Sequence, residues 1–366
     1  IDTFLESLAQ DQGERAIAVI LSGAGSDGTL GVRAVKEAGG LTVAQTANGT
    51  APRHAAMPQS AIATGLVDLP LPVEAVPAKL VDYAARFAAA SEADDERQAA
   101  SAKEAREGIC EVLRERVGHD FGGYKEKTFL RRVQRRMQVL QLATLDAYVE
   151  HLRQDADEAK LLFRDLLIGV THFFRDADAF QALEQLVVPR LFEGKAAAGT
   201  LRVWVPGCST GEEVYSIALL LRERVDAMRP PPKVQIFGTD IDEAALQYAR
   251  AGRYPAALLD SVPEERRQRY FHRDGGTLTV AKRVRDLCVF SAHSIVRDPP
   301  FSRLDLISCR NLLIYLGSEQ QDRVIPVFHF ALRPGGFLFL GSAENVSHRG
   351  DLFQPLDKKH RLFQRR

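Results

Sequence analysis

Several things are missing from this 366-residue chain, and each absence removes a class of protein. No run of eighteen apolar residues occurs, so no membrane-spanning helix is expected. The four cysteines, Cys110, Cys208, Cys288 and Cys309, form no C-x-x-C pair, and none stands at metal-ligand spacing from a histidine. That speaks against a zinc site and a disulfide framework and suits a reducing cytoplasm. Neither sign of charge dominates: 48 Lys plus Arg face 48 Asp plus Glu, so any electrostatic recognition must come from local patches. No signal peptide is evident, and the chain opens on "IDTFLESLAQ" without a Met, which reads as a piece of something longer. What is present is apolar residue enough, 45%, for more than one core, so two or three domains are expected.

Residues 16–22, "AIAVILS", read as a buried strand followed by the loop "GAGSDGT", a helix over about 29–38 and a second strand at "LTVAQ". Residues 88–107 lack apolar periodicity and read as a linker or exposed helical connector. Residues 107–195 are read as mostly helical. In "KEKTFLRRVQRRMQVL", Leu130, Val133, Met137 and Leu140 form one apolar stripe. Arg131, Arg132, Arg135 and Arg136 fall opposite it, either as a solvated charged face or as a docking face for an acidic partner. From Leu201 onward, apolar strands at 201–206, 234–238, 287–291, 304–309 and 336–341 alternate with helices, which implies a doubly wound, largely parallel sheet.

The stretch "VWVPGCSTGEEVYSIALLL" (203–221) is a strand, a glycine turn and a helix. Such a turn usually delivers phosphate to the helix N-terminus. Here the first helical turn carries Glu212 and Glu213, which repel phosphate and welcome a cation or hydroxyls. The turn matches neither G-x-G-x-x-G nor G-x-x-x-x-G-K-[ST], which disfavours NAD and nucleoside triphosphates. The next strand, "VQIFGTDID", ends in Asp240 and Asp242, where ribose hydroxyls are commonly held. A nucleoside with a positive charge and no phosphate fits both features, and S-adenosylmethionine (SAM) is such a molecule. Ordinary capping by these carboxylates is the competing explanation. Methyl transfer to a carboxylate needs alignment rather than a base, and no nucleophile–base pair is evident near the crevice. "GVTHFFRDADAF" contributes Thr171 and Arg175, and "LDLISCRNLLIYL" contributes Arg310, Asn311 and Tyr315. "DPPF" (298–301) resembles the short motif of adenine amino-methyltransferases. It precedes its strand instead of ending one and is read as a stiff turn.

These residues carry two family resemblances. "FLRRVQRRM", "VTHFFRD", "GCSTGEEVYSIA", "GTDID", "FSRLDLISCRNLLIYL", "LRPGGFLFLGSAE" and "LDKKHRLFQRR" together make residues about 105–366 resemble the chemotaxis receptor methyltransferase family, CheR. The resemblance implies SAM-dependent methyl esterification of glutamates on receptor signalling helices, a helical N-terminal subdomain and a small β insertion. It implies SAM contacts from Thr171, Arg175, Glu213, Asp240, Ser294, Ile295, Arg310 and Asn311, with Arg175 and Tyr315 beside the methyl group. Gly169 and Ser294 stand where the family often has Asn. The insertion, "RDGGTLTVAKRV", leaves little room for a receptor-tether loop, so tether-independent recognition is expected. Residues about 14–84, through "VILSGAGSDGTLGVRAVKEAGGLTVAQ" and "AAMPQSAIATGLVD", resemble the C-terminal part of the methylesterase family CheB. That resemblance makes Asp27 the remnant of a Ser-His-Asp triad whose other members precede this chain, and Ala24 replaces the family's Met.

The expected architecture is therefore α/β. An esterase fragment (1–84) is followed by a linker (85–106), a helical subdomain (107–195) and a SAM-dependent methyltransferase domain (196–366) with a β insertion at about 260–290. The expected activity is a protein-glutamate O-methyltransferase with an inactive esterase fragment, cytoplasmic, using no metal and binding no nucleic acid, with a chemotaxis receptor as partner and further signalling domains fused to it. The alternatives are a catalytically silent SAM-binding module and, from "DPPF" and the arginine face, a nucleic-acid methyltransferase.

Overall fold

The computed structural model describes residues 1–90, 95–167, 169, 171–194 and 199–366. The chain divides into two compact units, Ile1–Val170 and Thr171–Arg366.

The first unit runs α1 (Asp2–Gln12), β1 (Ile17–Ile20), α2 (Thr29–Ala38), β2 (Leu41–Gln45), α3 (Ala56–Ala63), β3 (Leu69–Leu71), α4 (Val76–Ala90), α5 (Asp95–Val117), α6 (Glu126–Leu140), α7 (Leu145–Gln154) and α8 (Ala156–Leu167). The three strands pair in parallel in the order β1-β2-β3. Gly28 and Gly39 bracket α2 with left-handed backbones, a conformation that favours glycine at such positions. The expected linker is largely the helices α4 and α5, and residues 91–94 within it lie outside the described residues.

Helix α6 shows a correction. Leu130, Val133, Met137 and Leu140 do pack against the helical core, but the opposite side is not solvated. Arg132, Arg135 and Arg136 are only 1%, 4% and 4% exposed, so they present no docking face. The esterase-like segment covers α6. Val139 joins Leu41, Val43, Val76 and Tyr83 in a shared core, and Arg135 Nε donates to Gly40 O at 3.3 Å. Arg135 also binds Asp68 and, at 2.5 Å, Asp165, while Lys36 Nζ reaches both carboxylates at 2.5 and 2.8 Å. Arg136 grips Glu158 through two donors at 2.9 and 2.6 Å. Of the four arginines only Arg131 stays substantially exposed, paired with Glu14 at 3.2 Å. Four charges without enough water to solvate them need each other, and the two segments pack within one compact unit.

The second unit runs α9 (Ala177–Ala182), α10 (Val188–Phe192), β4 (Thr200–Pro206), α11 (Glu212–Ala227), β5 (Lys233–Asp240), α12 (Glu243–Ala251), β6 (Arg253–Pro255), α13 (Glu264–Tyr270), β7 (Phe271–Asp274), β8 (Thr277–Val280), α14 (Lys282–Arg285), β9 (Cys288–Ala292), β10 (Leu304–Cys309), α15 (Ser318–Ala331), β11 (Leu332–Leu340), β12 (Phe353–Asp357) and β13 (Leu362–Arg365). The helical stretch expected near 176–192 belongs to this unit, not to the helical subdomain; the boundary expected at 195/196 falls among residues outside the described ones. The main sheet has the order β12-β13-β11-β10-β4-β5-β9, with β11, β10, β4, β5 and β9 parallel and β12 and β13 antiparallel. Central strands of a parallel sheet covered on both faces read as continuous apolar runs, and β10, "LDLISC", is buried at every position. The insertion is a separate antiparallel sheet, β6-β8-β7, beginning slightly earlier than expected. "DPPF" is a loop before β10. Its Phe301 stacks on Phe237 at 4.7 Å between ring centres and also meets Trp204, so the segment packs against β4 and β5 inside the sheet.

Candidate functional site

The chain steps from β4 to β5 and β9 on one side, then returns to place β10 on the other side of β4. Loops after β4 and β10 therefore diverge, and the crevice between them is where an open α/β sheet takes its ligand. Backbone geometry marks the same place. Seven non-glycine residues have left-handed φ among the described residues, and four of them, Phe174, Asp176, Ser209 and Asn311, lie in the loops bearing the expected site residues. Such conformations are costly and persist where surrounding structure enforces them, commonly at functional sites.

The glycine turn after β4 is tied to β5. Cys208 N donates to Thr239 O at 3.0 Å, and Ser209 N donates to Asp240 Oδ2 at 2.7 Å. Gly211 opens α11 at φ 93°, and a Cβ there would meet the Ala249 side chain at 2.8 Å, so the helix can start this close to α12 only with glycine. Tyr254 of the insertion donates its hydroxyl to Thr210 O at 2.6 Å, fixing the turn from the other side.

Glu212 and Glu213 open α11 and are both buried, at 1% and 9% exposure. Glu212 Oε2 accepts from Thr210 Oγ1 at 2.6 Å. Glu213 points to β10: Ser308 Oγ donates to Oε1 at 2.7 Å, and Arg310 Nη1 lies 3.4 Å from Oε2. Burial pushes the Glu213 carboxyl above its ordinary range, against the pull of Arg310 and Ser308. Asp240 is likewise raised by burial, although backbone N–H groups of Asp242 and Ser209 favour its ionised form. Two buried carboxylates are thus set near each other past the sheet, Glu213 in the first turn of α11 and Asp240 at the end of β5.

Arg310 spans the site. Its Nη2 donates to Asp176 at 2.6 Å, its guanidinium lies over the Phe180 and Phe339 rings, and its Nε has no partner among the described residues. This bridge and a second one hold the "VTHFFRD" loop: Phe174 N donates to Ser216 Oγ at 2.9 Å, which itself donates to Glu212 O at 2.7 Å. Arg175 is half-buried between left-handed Phe174 and Asp176, and it acts electrostatically on Glu213. Thr171 is half-buried at the start of this loop. Ser294 is buried beside the β5 end, where His293 N donates to Asp240 O at 3.0 Å and Ser294 N donates to Asp298 Oδ2 at 2.7 Å. Ile295 follows, half-buried. Asn311 and Tyr315 sit in the loop after β10, and Asn311 Oδ1 is buried without a partner among the described residues.

The structure thus brings Arg175, Glu212, Glu213, Arg310 and Asp176 into one linked cluster, with Asp240 tied to it through the glycine turn. It leaves Arg132, Arg135 and Arg136 in a different core. Asp27 belongs to the first unit and is exposed; it accepts from Asp2 N at 3.1 Å, and no histidine among the described residues pairs with it. Sequence reasoning passed over Ser308, Asp176 and Glu344. Glu344 accepts four backbone N–H bonds at the end of β11, and its only signal was its place three residues after Gly341 in "FLFLGSAE". Arg310 also borders a cavity of about 420 Å³ whose walls include Asp176, Asp178, Lys359 and His360, so both signs of charge face it. No group of His, Cys, Asp and Glu among the described residues could hold a metal ion.

A glycine turn followed by buried Glu212 and Glu213, a buried Asp240, and an Asn311 oxygen without a partner among the described residues fit the cationic, hydroxyl-rich SAM and not a pyrophosphate. Fold and site define a class, the SAM-dependent methyltransferases. Three family models cover the chain: CheB methylesterase over residues 1–80, the all-alpha domain of CheR methyltransferase over 104–167, and its SAM binding domain over 169–362. The chain belongs to the CheR methyltransferase family, with a CheB-like segment before it. A 104.1 kDa protein from the hypE 3′ region of Rhodobacter capsulatus is 39% identical over 100% of this chain and 40% of its own length. This chain therefore spans less than half of that relative. Chemotaxis protein methyltransferases of Listeria monocytogenes and Escherichia coli are 32% and 31% identical, each over 66% of this chain and over 89% and 84% of their own lengths. Among solved structures, the Thermotoga maritima CheB methylesterase catalytic domain is 38% identical over 21% of this chain and 40% of that one, with a TM-score of 0.20.

Proposed function

We propose that this protein transfers a methyl group from SAM to glutamate side chains on chemotaxis receptor signalling helices, leaving glutamyl methyl esters. The observation that carries the reading is the Glu213–Arg310–Asp176 bridge, which joins the "VTHFFRD" loop to the crevice of a CheR-family fold. When bound, SAM supplies an electrophilic methyl on a sulfonium. Glu213 would take its ammonium group and Asp240 its ribose hydroxyls, with Thr171, Glu212, Ser294, Ile295, Arg310 and Asn311 completing the pocket. Arg175 and Tyr315 would orient the acceptor carboxylate.

A glutamate is already ionised at neutral pH, so the protein has to align and desolvate it rather than deprotonate it. A thiolate route has no support, since burial raises both crevice-end thiols, Cys208 and Cys309, well above the ordinary range. We read the CheB-like segment as inactive in hydrolysis and as a structural cover of α6. The setting would be cytoplasmic, inside a longer signalling protein; the R. capsulatus relative is likewise longer than this chain, and no helix among the described residues is long and apolar enough to cross a membrane.

The test mixes the protein with methyl-labelled SAM and receptor-bearing membranes and follows label released as methanol by base. Base-labile label on receptor, lost in Arg175→Ala, supports the enzyme. SAM binding without label on any receptor would overturn this assignment in favour of a silent binding module.

A further inference from the structure

Glu344 is 4% exposed, at the end of β11, far in sequence from every other crevice residue. Its Oε2 accepts from Asn311 N at 2.9 Å and Gly341 N at 2.7 Å, and its Oε1 accepts from Leu312 N at 2.9 Å and Leu313 N at 2.7 Å. Three consecutive N–H groups converge because Asn311 is left-handed (φ 57°) and Leu312 right-handed. Alternating hands in this way turn successive peptides inward into an anion-binding concavity. The anion here is the protein's own side chain.

We infer that Glu344 is a positioning residue for methyl transfer: its carboxylate sets the loop after β10 that presents Asn311 and Tyr315 to the crevice. This rests on reading that loop as a wall of the SAM site. Three features support the inference. The N–H groups of residues 311–313 would otherwise be left without partners at a buried strand end. The loop also seats against the glycine turn: a Cβ on Gly207 would meet Leu312 Cδ2 at 2.9 Å, so a shift of the loop moves the opposite wall as well. Finally, Gly341 leaves no space for a side chain, as a Cβ there would lie 2.9 Å from both Asn311 N and Glu344 Oε2. The far end of the loop is tied separately, by Gln321 Nε2 to Leu313 O and Leu316 O at 2.8 and 3.0 Å. Loss of Glu344 would therefore release the Asn311 end while the rest stays anchored.

The experiment measures labelled-SAM binding and kcat and KM for the full chain, at a temperature where each variant is folded by circular dichroism. Glu344→Gln puts an NH2 against two N–H donors and should weaken SAM binding by about tenfold or more. Gly341→Ala pushes the same carboxylate aside without changing its charge and should act in the same direction; if Glu344→Gln does not fold, it decides the question. Ile325→Val, a buried change in α15, supplies a comparison with lowered stability and should leave SAM affinity and KM unchanged. Affinity in Glu344→Gln or Gly341→Ala within twofold of the parent overturns the inference. Affinity lost equally in Ile325→Val also overturns it, because stability alone would then explain the loss. A parent protein that does not bind SAM overturns the site reading and this inference with it, and that failure shows before any variant is measured.

Discussion

The buried charges between α6 and the CheB-like segment offer a quantitative test of the fold. Asp68, Asp165, Lys36 and Arg135 form a closed set of two anions and two cations, with side chains between 1% and 13% exposed. Asp68→Asn leaves Lys36 and Arg135 with one carboxylate between them. Removing one member of a buried ionic set costs about 3–5 kcal/mol, because the remaining charge has lost its partner where water cannot replace it. Asp68 also accepts from Thr42 N and Oγ1 at 2.9 and 2.8 Å, contacts that an amide retains only in part. A unit of this size loses about 2–4 °C per kcal/mol, so the first unit should melt roughly 6–20 °C lower. Glu14→Ala breaks an exposed pair with Arg131, 41% and 44% exposed, and should cost at most about 1 kcal/mol.

The pH dependence follows from the same set. Burial opposes ionisation of Asp68 and Asp165, but Arg135 and Lys36 outweigh it and hold both carboxyls below the ordinary range. Their folded-state pKa values are depressed, so their contribution is present above the unfolded carboxyl pKa of about 4 and is lost as pH falls through the folded values. Differential scanning calorimetry of the full chain from pH 7 to 3 should show this slope in the parent and a shallower one in Asp68→Asn. If Asp68→Asn melts within a degree or two of Glu14→Ala at pH 7, the reasoning about the ionic set is wrong, and so is the account of why the two segments form one unit.

The crevice carboxylates have the opposite sign. Burial raises Glu213 and Asp240, so SAM binding should weaken as pH falls through these raised values and release protons in that pH range; calorimetry across pH in buffers of different ionisation enthalpy measures this, and Glu213→Gln should reduce both release and affinity. Gly211→Ala forces a side chain into a left-handed backbone against Ala249 and should lower stability by about 1–3 kcal/mol in thermal melts, with weaker SAM binding. Tyr215→Phe removes a buried hydroxyl bonded to Ala249 O at 2.7 Å and should cost about 1–2 kcal/mol by urea denaturation while leaving turnover intact.

The sequence alone determined the parts of this protein whose physics is local. Short, largely apolar runs announced β4, β5, β10 and β11, because strands near the middle of a sheet covered on both faces bury most of their side chains. The glycine turn and its two carboxylates pointed to a phosphate-free cationic ligand, because helix ends and glycines act over a few residues. Arg310 and Asp240 were likewise visible as polar residues at the ends of such runs, and Arg175 as a polar residue in the stretch before the α/β domain. Only the tertiary structure decided what depends on partners distant in sequence. Arg135 of α6 looks the same in sequence whether water or Asp68 and Asp165 faces it, and here it is the carboxylates, 67 and 30 positions away. Glu344 is an ordinary acidic residue until the fold brings the N–H groups of residues 311–313 to it, some 31–33 positions away. An ion pair or a hydrogen bond is set by distance in space and by the exclusion of water, and neither is written in the spacing of residues along the chain.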